Sequence, residues 1–446
     1  MSKVTLKEVS ELITKGTTPS SVGCEFIANG INFIKSESIS DSKYLNNDIY
    51  EHIDEATDIK LKRSRLKEGD LLFSIAGAYL GKIGIVQSTD MPANTNQAVG
   101  IVRLKKNLVD VDYVYYFFSQ KHINSYINKL SSQSSQPNLN LDLLGKLEFD
   151  LRDIVSQQKI ASVLSSLDSK IELNNRINAE LEAMAKTLYD YWFVQFDFPN
   201  AKGKPYKTSG GKMVWNEELK REVPEGWEVD VLGNYLKIER GISYKGTDIG
   251  ETGIPMVNLN SFHLDGRYKY EGIKYYSGTI NENKIIKKGD LMIATTDVTR
   301  NAYIIGKSFI LPDLYNGPVV ASCDIAKVNI GDKLDKYYLD MMFNSDNYHK
   351  YIKGFASGTL VLHLDTKGID WYNCIIPPKE LLNKYAGIKK KIDGKKTLTL
   401  IENQKLSELR DWLLPMLMNG QVKVQEAEEM ISMAAEPQAE NKKSRK

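Results

Sequence analysis

The feature that most constrains this chain is that its second half repeats its first at an offset of about 223 residues. Gly30-Ile31 is echoed by Gly253-Ile254, and Leu66-Lys67-Glu68-Gly69-Asp70-Leu71 by Ile286-Lys287-Lys288-Gly289-Asp290-Leu291. Leu139-Asn140-Leu141-Asp142 returns as Leu362-His363-Leu364-Asp365. A last echo pairs Asp168, Asn178, Leu181 and Leu188 with Asp393, Asn403, Leu406 and Leu413, so each half runs from a globular part into a long helix. A period of this length marks a duplicated domain pair and not a solenoid. Two like units on one chain predict a pseudo-twofold molecule, which suits a target with two separated half-sites.

Residues 1–152 mix short β-rich runs with Gly and Ser turns; 31–34, 70–75, 83–86 and 99–102 read as strands and 113–127 as a helix. The fold class is therefore α+β. Further on, Ile160, Leu164, Leu167, Ile171, Asn174, Asn178, Leu181, Ala185, Leu188 and Trp192 follow one another at alternating spacings of four and three. A 3.5-residue repeat is the signature of a coiled-coil seam, and a polar residue within it fixes register and partner. Asn403, Leu406 and Leu413 belong to the partner helix over 381–418, giving two similar globular domains and two long helices paired as a coiled coil. The other reading is one amphipathic surface helix with its asparagines in solvent. The seam from Ile160 to Trp192 would span about 50 Å.

The expected organisation is a first module over 1–152, a central spacer helix over 153–196 and a linker rich in Gly, Lys and Pro over 197–226. A second module over 227–378, a C-terminal spacer helix over 379–419 and a disordered tail over 420–446 complete it. The 446 residues leave room for two or three cores, and 42% hydrophobic with 26% charged residues is ordinary for a soluble protein. No apolar run reaches membrane-spanning length and the N-terminus lacks a signal peptide's apolar stretch, so a cytoplasmic location is expected. Cys24, Cys323 and Cys374 are scattered, and the five histidines show no zinc-site spacing; no metal is expected. At a net charge of +2, binding nucleic acid requires basic residues gathered on one face.

Catalytic patterns fail on inspection. Gly77-Ala78-Tyr79-Leu80-Gly81-Lys82 has one residue too few for a phosphate loop and Ile83 where Ser or Thr would ligate magnesium, so it reads as a turn between strands. Asp-x-Lys triplets occur at 58–60, 168–170 and 393–395, the last two within the helical repeats. Pro377-Pro378 follows isoleucines, unlike an amino-methyltransferase motif. The chain reads as non-catalytic.

Its loops offer hydrogen-bonding groups beside positive charge. Candidate DNA contacts in the first module are Lys15, Thr17, Thr18, Lys35 and Ser36, then Tyr79 and Lys82, then Asn94, Asn96 and Gln97, and last Ser132, Gln133, Ser135, Gln136 and Asn138. In the second they are Arg240, Ser243, Tyr244 and Lys245, then Asn258 and Asn260, then Thr296, Thr299 and Arg300, and last Ser357, Thr359 and His363. Asn and Gln can bond an adenine edge twice, Arg and Lys a guanine edge, and Ser and Thr bases or phosphates. Any one such loop taken alone reads better as a solvated turn; matched placement in two modules favours the binding reading.

The chain resembles the specificity subunit of Type I restriction-modification enzymes. The resemblance is carried by Leu6-Lys7-Glu8-Val9 leading to Lys15-Gly16-Thr17-Thr18-Pro19, by Gly69-Asp70-Leu71-Leu72-Phe73-Ser74 with Leu80-Gly81-Lys82, and by Asn96-Gln97-Ala98. Gln136-Pro137-Asn138-Leu139-Asn140, the stretches 157–161 and 167–174, and Leu406-Ser407-Glu408-Leu409-Arg410-Asp411-Trp412 continue it across nearly everything but the tail. It implies two target-recognition domains, each reading one half of a bipartite double-stranded DNA sequence, separated by the two long helices packed as an antiparallel coiled coil. It also implies that the chain has no activity of its own. Two methyltransferase (modification) subunits would bring S-adenosylmethionine, and restriction/translocase subunits Mg and ATP, the target adenine being flipped into a partner's pocket. The second module departs at 295–303, where the glycine-lysine turn is expected to be missing. Two other readings stay open: a self-contained endonuclease or methyltransferase, and a protein-binding helical scaffold.

Overall fold

The computed structural model describes residues 2–131 and 138–435. These divide into two units, one holding the chain up to Asn174 together with Glu402 onward, the other Asn175–Ile401. In the first, short runs of β-branched and aromatic residues form nine strands. They are β1 (Ser2–Thr5), β2 (Ser10–Lys15), β3 (Ile31–Ile34), β4 (Glu51–Ile53), β5 (Leu71–Ser74), β6 (Ile83–Ile85), β7 (Ala93–Thr95), β8 (Val99–Leu104) and β9 (Glu148–Leu151). An antiparallel sheet runs in the order β2-β8-β5-β6, a second sheet in the order β4-β3-β7 with β3 and β7 parallel, and β1 pairs with β9.

Strand β5 is buried along its whole length. Because side chains alternate across a strand, Leu71 and Phe73 enter one core with the helices while Leu72 enters another with Ile34, Val99 and Ile101. The second unit repeats this. Leu236–Arg240, Ile325–Ile330, Leu291–Ala294 and Ser308–Ile310 pair in the order of β2-β8-β5-β6, and Ile254–Val257 lies parallel to Val319–Ala321 as β3 does to β7. Leu291 and Ile293 face the helical core while Met292 and Ala294 face the other.

Two features shared by the units have structural causes. A Cβ added at Gly16 would lie 2.0 Å from the Thr95 carbonyl oxygen, and one at Gly241 2.1 Å from that of Ala321, so backbone approaches backbone where only glycine fits. The Gly-Asp-Leu repeat is a turn: Gly69 and Gly289 have φ of 85° and 80°. Asp70 and Asp290 each accept the backbone N–H three residues back at 2.8 Å. Each also pairs with a cation one strand over, Arg103 at 2.7 Å and Lys327 at 2.9 Å.

The heptad positions are used within each unit. The central helix (Ile154–Tyr189) and the distal helix (Lys379–Asn419) both run through the two units. In the first unit Ile160, Leu164 and Leu167 share a core with Leu406 and Leu413, with Ile171 packed against it. There Asn174, 1% exposed, donates to Asn403 Oδ1 and to Glu402 Oε2, each at 2.8 Å. In the second, Ala185 and Trp192 share a core with Leu381 and Tyr385, and Leu188 packs on it. Leu181 is half-buried, Thr399 donates to Asn178 Oδ1 at 2.5 Å, and Lys396 pairs with Glu182. Partner numbers fall as central-helix numbers rise, so the helices are antiparallel in each unit.

Four readings from sequence change. The helix expected over 113–127 is two, Val111–Ser119 and Lys121–Ser131, because Gln120 leaves the helical region (ψ 135°). The linker over 197–226 contains a hairpin, Met213–Asn216 with Arg221–Pro224, whose Val223 packs on Phe196 and Ile375. Val424–Ala435, expected within a disordered tail, is a helix that buries Ala427 fully and packs Ile431 on the first unit's core. The glycine-lysine turn expected to be missing is present at Gly306-Lys307, after a loop five residues longer than its counterpart. Gly306 N–H donates to Ala294 O at 2.9 Å, as Gly81 does to Ser74 O.

Candidate nucleic-acid interface

In the first module the close passage at Gly16 brings the loop after β2 against the end of β7: Thr17 N–H donates to Thr95 O at 3.0 Å and Thr18 Oγ1 bonds Gln97 Oε1. Ile75 N–H donates to Ala98 O at 2.9 Å, and Ala76 bridges Asn138. Four segments distant in sequence therefore converge at one end of the β2-β8-β5-β6 sheet. Lys15, Gln97, Tyr79 and Asn138 are exposed there, Thr17, Thr18 and Asn96 half-buried. Arg63, overlooked in the sequence because it stands in an unremarkable Lys-Arg-Ser run, reaches the same place, its Nη2 at 3.4 Å from Thr17 Oγ1.

The second module converges in the same way. Ile242 N–H donates to Ala321 O at 2.7 Å, Leu364 N–H to Thr295 O at 2.9 Å, and Thr296 pairs with His363 as Ala76 does with Asn138. Arg240, Ser243, Lys245, Arg300, Ser357, Thr359 and His363 are exposed. Thr299 and Tyr244 are half-buried, and burial beside Asp324 raises the Tyr244 hydroxyl's pKa. The longer 298–303 loop is held by Asp297, 0% exposed, whose carboxylate accepts from Thr299 N at 2.6 Å and Ile304 N at 2.7 Å.

Several expected contacts are spoken for. Asn94 is 0% exposed and donates to Asp58 Oδ1 at 3.0 Å and Leu61 O at 3.2 Å; it is an interior residue. Asn258 is buried, donating to Gly272 O at 2.8 Å and capping Asn260, which itself stays exposed. Ser36 and Thr296 are buried. Lys35 pairs with Glu51 at 2.6 Å above the Phe26 ring, and Lys82 with Asp41 at 3.1 Å beside the Tyr79 ring. The cause is common to all: a polar residue that suits a base edge suits a buried carbonyl or a carboxylate as well. Ser132, Gln133, Ser135 and Gln136 lie outside the described residues.

Residues 1–183 match the family described as Type I restriction modification DNA specificity domain. The chain is 29% identical to the Type I restriction enzyme MjaIX specificity subunit of Methanocaldococcus jannaschii, the match covering 94% of this chain and 93% of that one. The chain is thus similar to Type I specificity subunits along nearly its whole length, and its residues 1–183 carry the family's DNA specificity domain. Another relative of the chain, the Type I restriction enzyme HindI specificity subunit of Haemophilus influenzae, is 23% identical over 87% of this chain and 94% of its own. The crystal structure of a Type-I restriction-modification system S subunit from M. genitalium has the same fold, with a TM-score of 0.54 at 15% identity over 93% of this chain and 95% of that one. The part matched at residues 1–183 is, by the family's description, a DNA specificity domain. Among its described residues no helix is long and apolar enough to cross a membrane.

Proposed function

We propose that this chain reads a bipartite DNA target, one half-site with each module, and assembles in the cytoplasm with two methyltransferase subunits and with restriction/translocase subunits. S-adenosylmethionine, Mg and ATP belong to those partners in this reading. The observation that carries it is the convergence of polar and basic loops at equivalent ends of two like sheets, around Gly16 in one and Gly241 in the other. One exposed reading surface per module gives one half-site per module.

The test is an exchange of residues 1–152 for the corresponding module of another family member, followed by mapping of methylated adenines in cells that carry the methyltransferase partner. One half-site should change and the other persist. A change in both, or in neither, would refute independent reading. Binding of the full chain to duplex DNA should also weaken steeply with salt, as phosphate contacts release counterions.

A further inference from the structure

Four of the exposed apolar side chains of the second module, apart from Leu264 and Trp371, fall on neighbouring loops. Leu360 is 83% exposed, more than any other large apolar side chain among the described residues, and Val298 (62%), Tyr303 (43%) and Val361 (38%) stand on the same group of loops. Leu360 and Val361 form the tip of a two-stranded ribbon, Ala356–Ser357 against Leu362–Leu364, in which Ser357 pairs with His363. That ribbon is joined through Thr296↔His363 to the strand from which Val298 follows, so the tip and the 298–303 loop are held together by backbone pairing.

Leu360 adds nothing to the fold that water does not already offer it, since burial is what makes an apolar group stabilising. The charges around it select its occupant. Arg240 donates to Leu364 O at 3.4 Å, Lys353 lies 5.9 Å from the Tyr303 ring centroid, and Arg300 is exposed on the loop. Carboxylates on the same loops are engaged, Asp297 inward with loop amides and Asp365 with Lys367 N at 3.1 Å, while Asp324, bonded through its backbone to Thr295, has Ser322 Oγ at 3.5 Å. An apolar tip on loops that also carry Arg240, Arg300 and Lys353 fits a polyanion with an apolar spot on it. A two-stranded ribbon enters the major groove of B-DNA, and the one apolar group that unmodified base pairs present there is the thymine C5-methyl.

We infer that Leu360 is a specificity-determining residue whose side chain packs on a thymine methyl in the half-site read by the second module. The inference rests on the DNA-reading function proposed above. It adds a sequence requirement that the polar candidates do not carry: a thymine read through its methyl.

The experiment selects duplexes from a randomised pool with the full chain, wild type and Leu360→Ala, and then replaces each thymine of the selected half-site by deoxyuridine. For wild type, one replacement should weaken binding about fourfold, which is what burial of one methyl group is worth. Leu360→Ala should lose the preference for thymine at that position alone, bind the uridine and thymine duplexes equally, and regain the preference as Leu360→Met. If Leu360→Ala selects the same sequence with the same preferences, the inference fails while the DNA reading stands. A uniform loss across all sequences would make Leu360 a wedge and also overturn it. If wild type selects no sequence at all, the DNA reading itself fails, and this inference with it.

Discussion

Arg410 Nη1 donates to Asp168 Oδ1 at 2.8 Å, joining the two long helices across 242 residues of chain within the first unit. Tyr116 donates to the other carboxylate oxygen at 2.5 Å, so the first module's helix is tied to both. Burial works against the Arg410 charge, and Asp168 and Asp411 overcome it, holding its pKa above the ordinary arginine range. Burial, reinforced by Asp168, likewise raises the Tyr116 hydroxyl. Arg410→Ala leaves Asp168, 7% exposed, with a neutral partner only. The expected cost is about 3 kcal/mol, and Arg410→Lys should recover only part of it. Urea unfolding of the full chain measures both; a loss below about 1 kcal/mol would mean that the carboxylate is solvated after all.

Asn94 and Gln97 stand three residues apart and should behave oppositely. Asn94→Ala strips the bonds to Asp58 and Leu61 O from the interior, at a cost of about 1–3 kcal/mol in stability. Gln97 is exposed and bonded to Thr18, so Gln97→Ala should leave stability within about 0.5 kcal/mol and relax one position of the first half-site. Thermal melts beside sequence selection decide it. Lost specificity in Asn94→Ala at full folded fraction would bring that residue back to the surface.

That contrast shows how far the sequence could be read. The duplication is legible because backbone geometry is unforgiving: Gly69 and Gly289 both take positive φ, and Asp70 and Asp290 close the same turn, so both are kept at matching positions. The seam is legible because Leu164, Leu167, Leu406 and Leu413 must face a core every three or four residues. Polar loop residues carry no such stamp. Asn258 and Asn260 look alike in sequence, yet one is sealed under Gly272 and the other exposed. The hairpin over 213–224 escaped because its polar, Gly-rich surroundings resemble a linker, while the few apolar anchors, Phe196 and Val223, lie outside any periodic run. Leu360 escaped because a hydrophobic residue beside Gly and Thr signals nothing until its exposure is known.

The second unit should carry an unusual pH dependence. Asp340 is buried; Ser308 Oγ donates to it at 3.0 Å, and Lys389 Nζ is 3.4 Å away but only 2.7 Å from Asp393. Burial pushes the Asp340 carboxyl up to about 6, Lys389 opposing and Asp393 reinforcing. Since this lies above the unfolded value of about 3.9, the folded chain holds the proton more tightly. The stabilisation is full below the unfolded pKa and is lost as pH rises through the folded one. His263 and His349, lowered by burial, act in the opposite direction, so wild type alone would blur the effect. The stability of Asp340→Asn relative to wild type should therefore rise by roughly 2 kcal/mol from about pH 4 to about pH 7. Calorimetry across that range checks it; a difference that stays flat would make the ion pair with Lys389 stronger than the burial penalty.

The proposed division of labour makes the two helices the spacer between half-sites, and a matched insertion in both tests this. The place is the boundary between units, Asn174|Asn175 in the central helix and Ile401|Glu402 in the distal one. Seven residues added to each keep the 3.5-residue phase and add about 10 Å, near three base pairs. The Asn174–Asn403 bond would stay on one side of the insertion and Asn178–Thr399 on the other, so both register-setting contacts survive. Four residues instead rotate each helix out of phase, turning Asn178 and Leu181 off the seam, and should weaken folding. Methylated-adenine mapping with the seven-residue variant should show both half-sites unchanged and the unread gap lengthened by about three base pairs. An active complex with an unaltered gap would mean that the separation of the half-sites is set by something other than these helices.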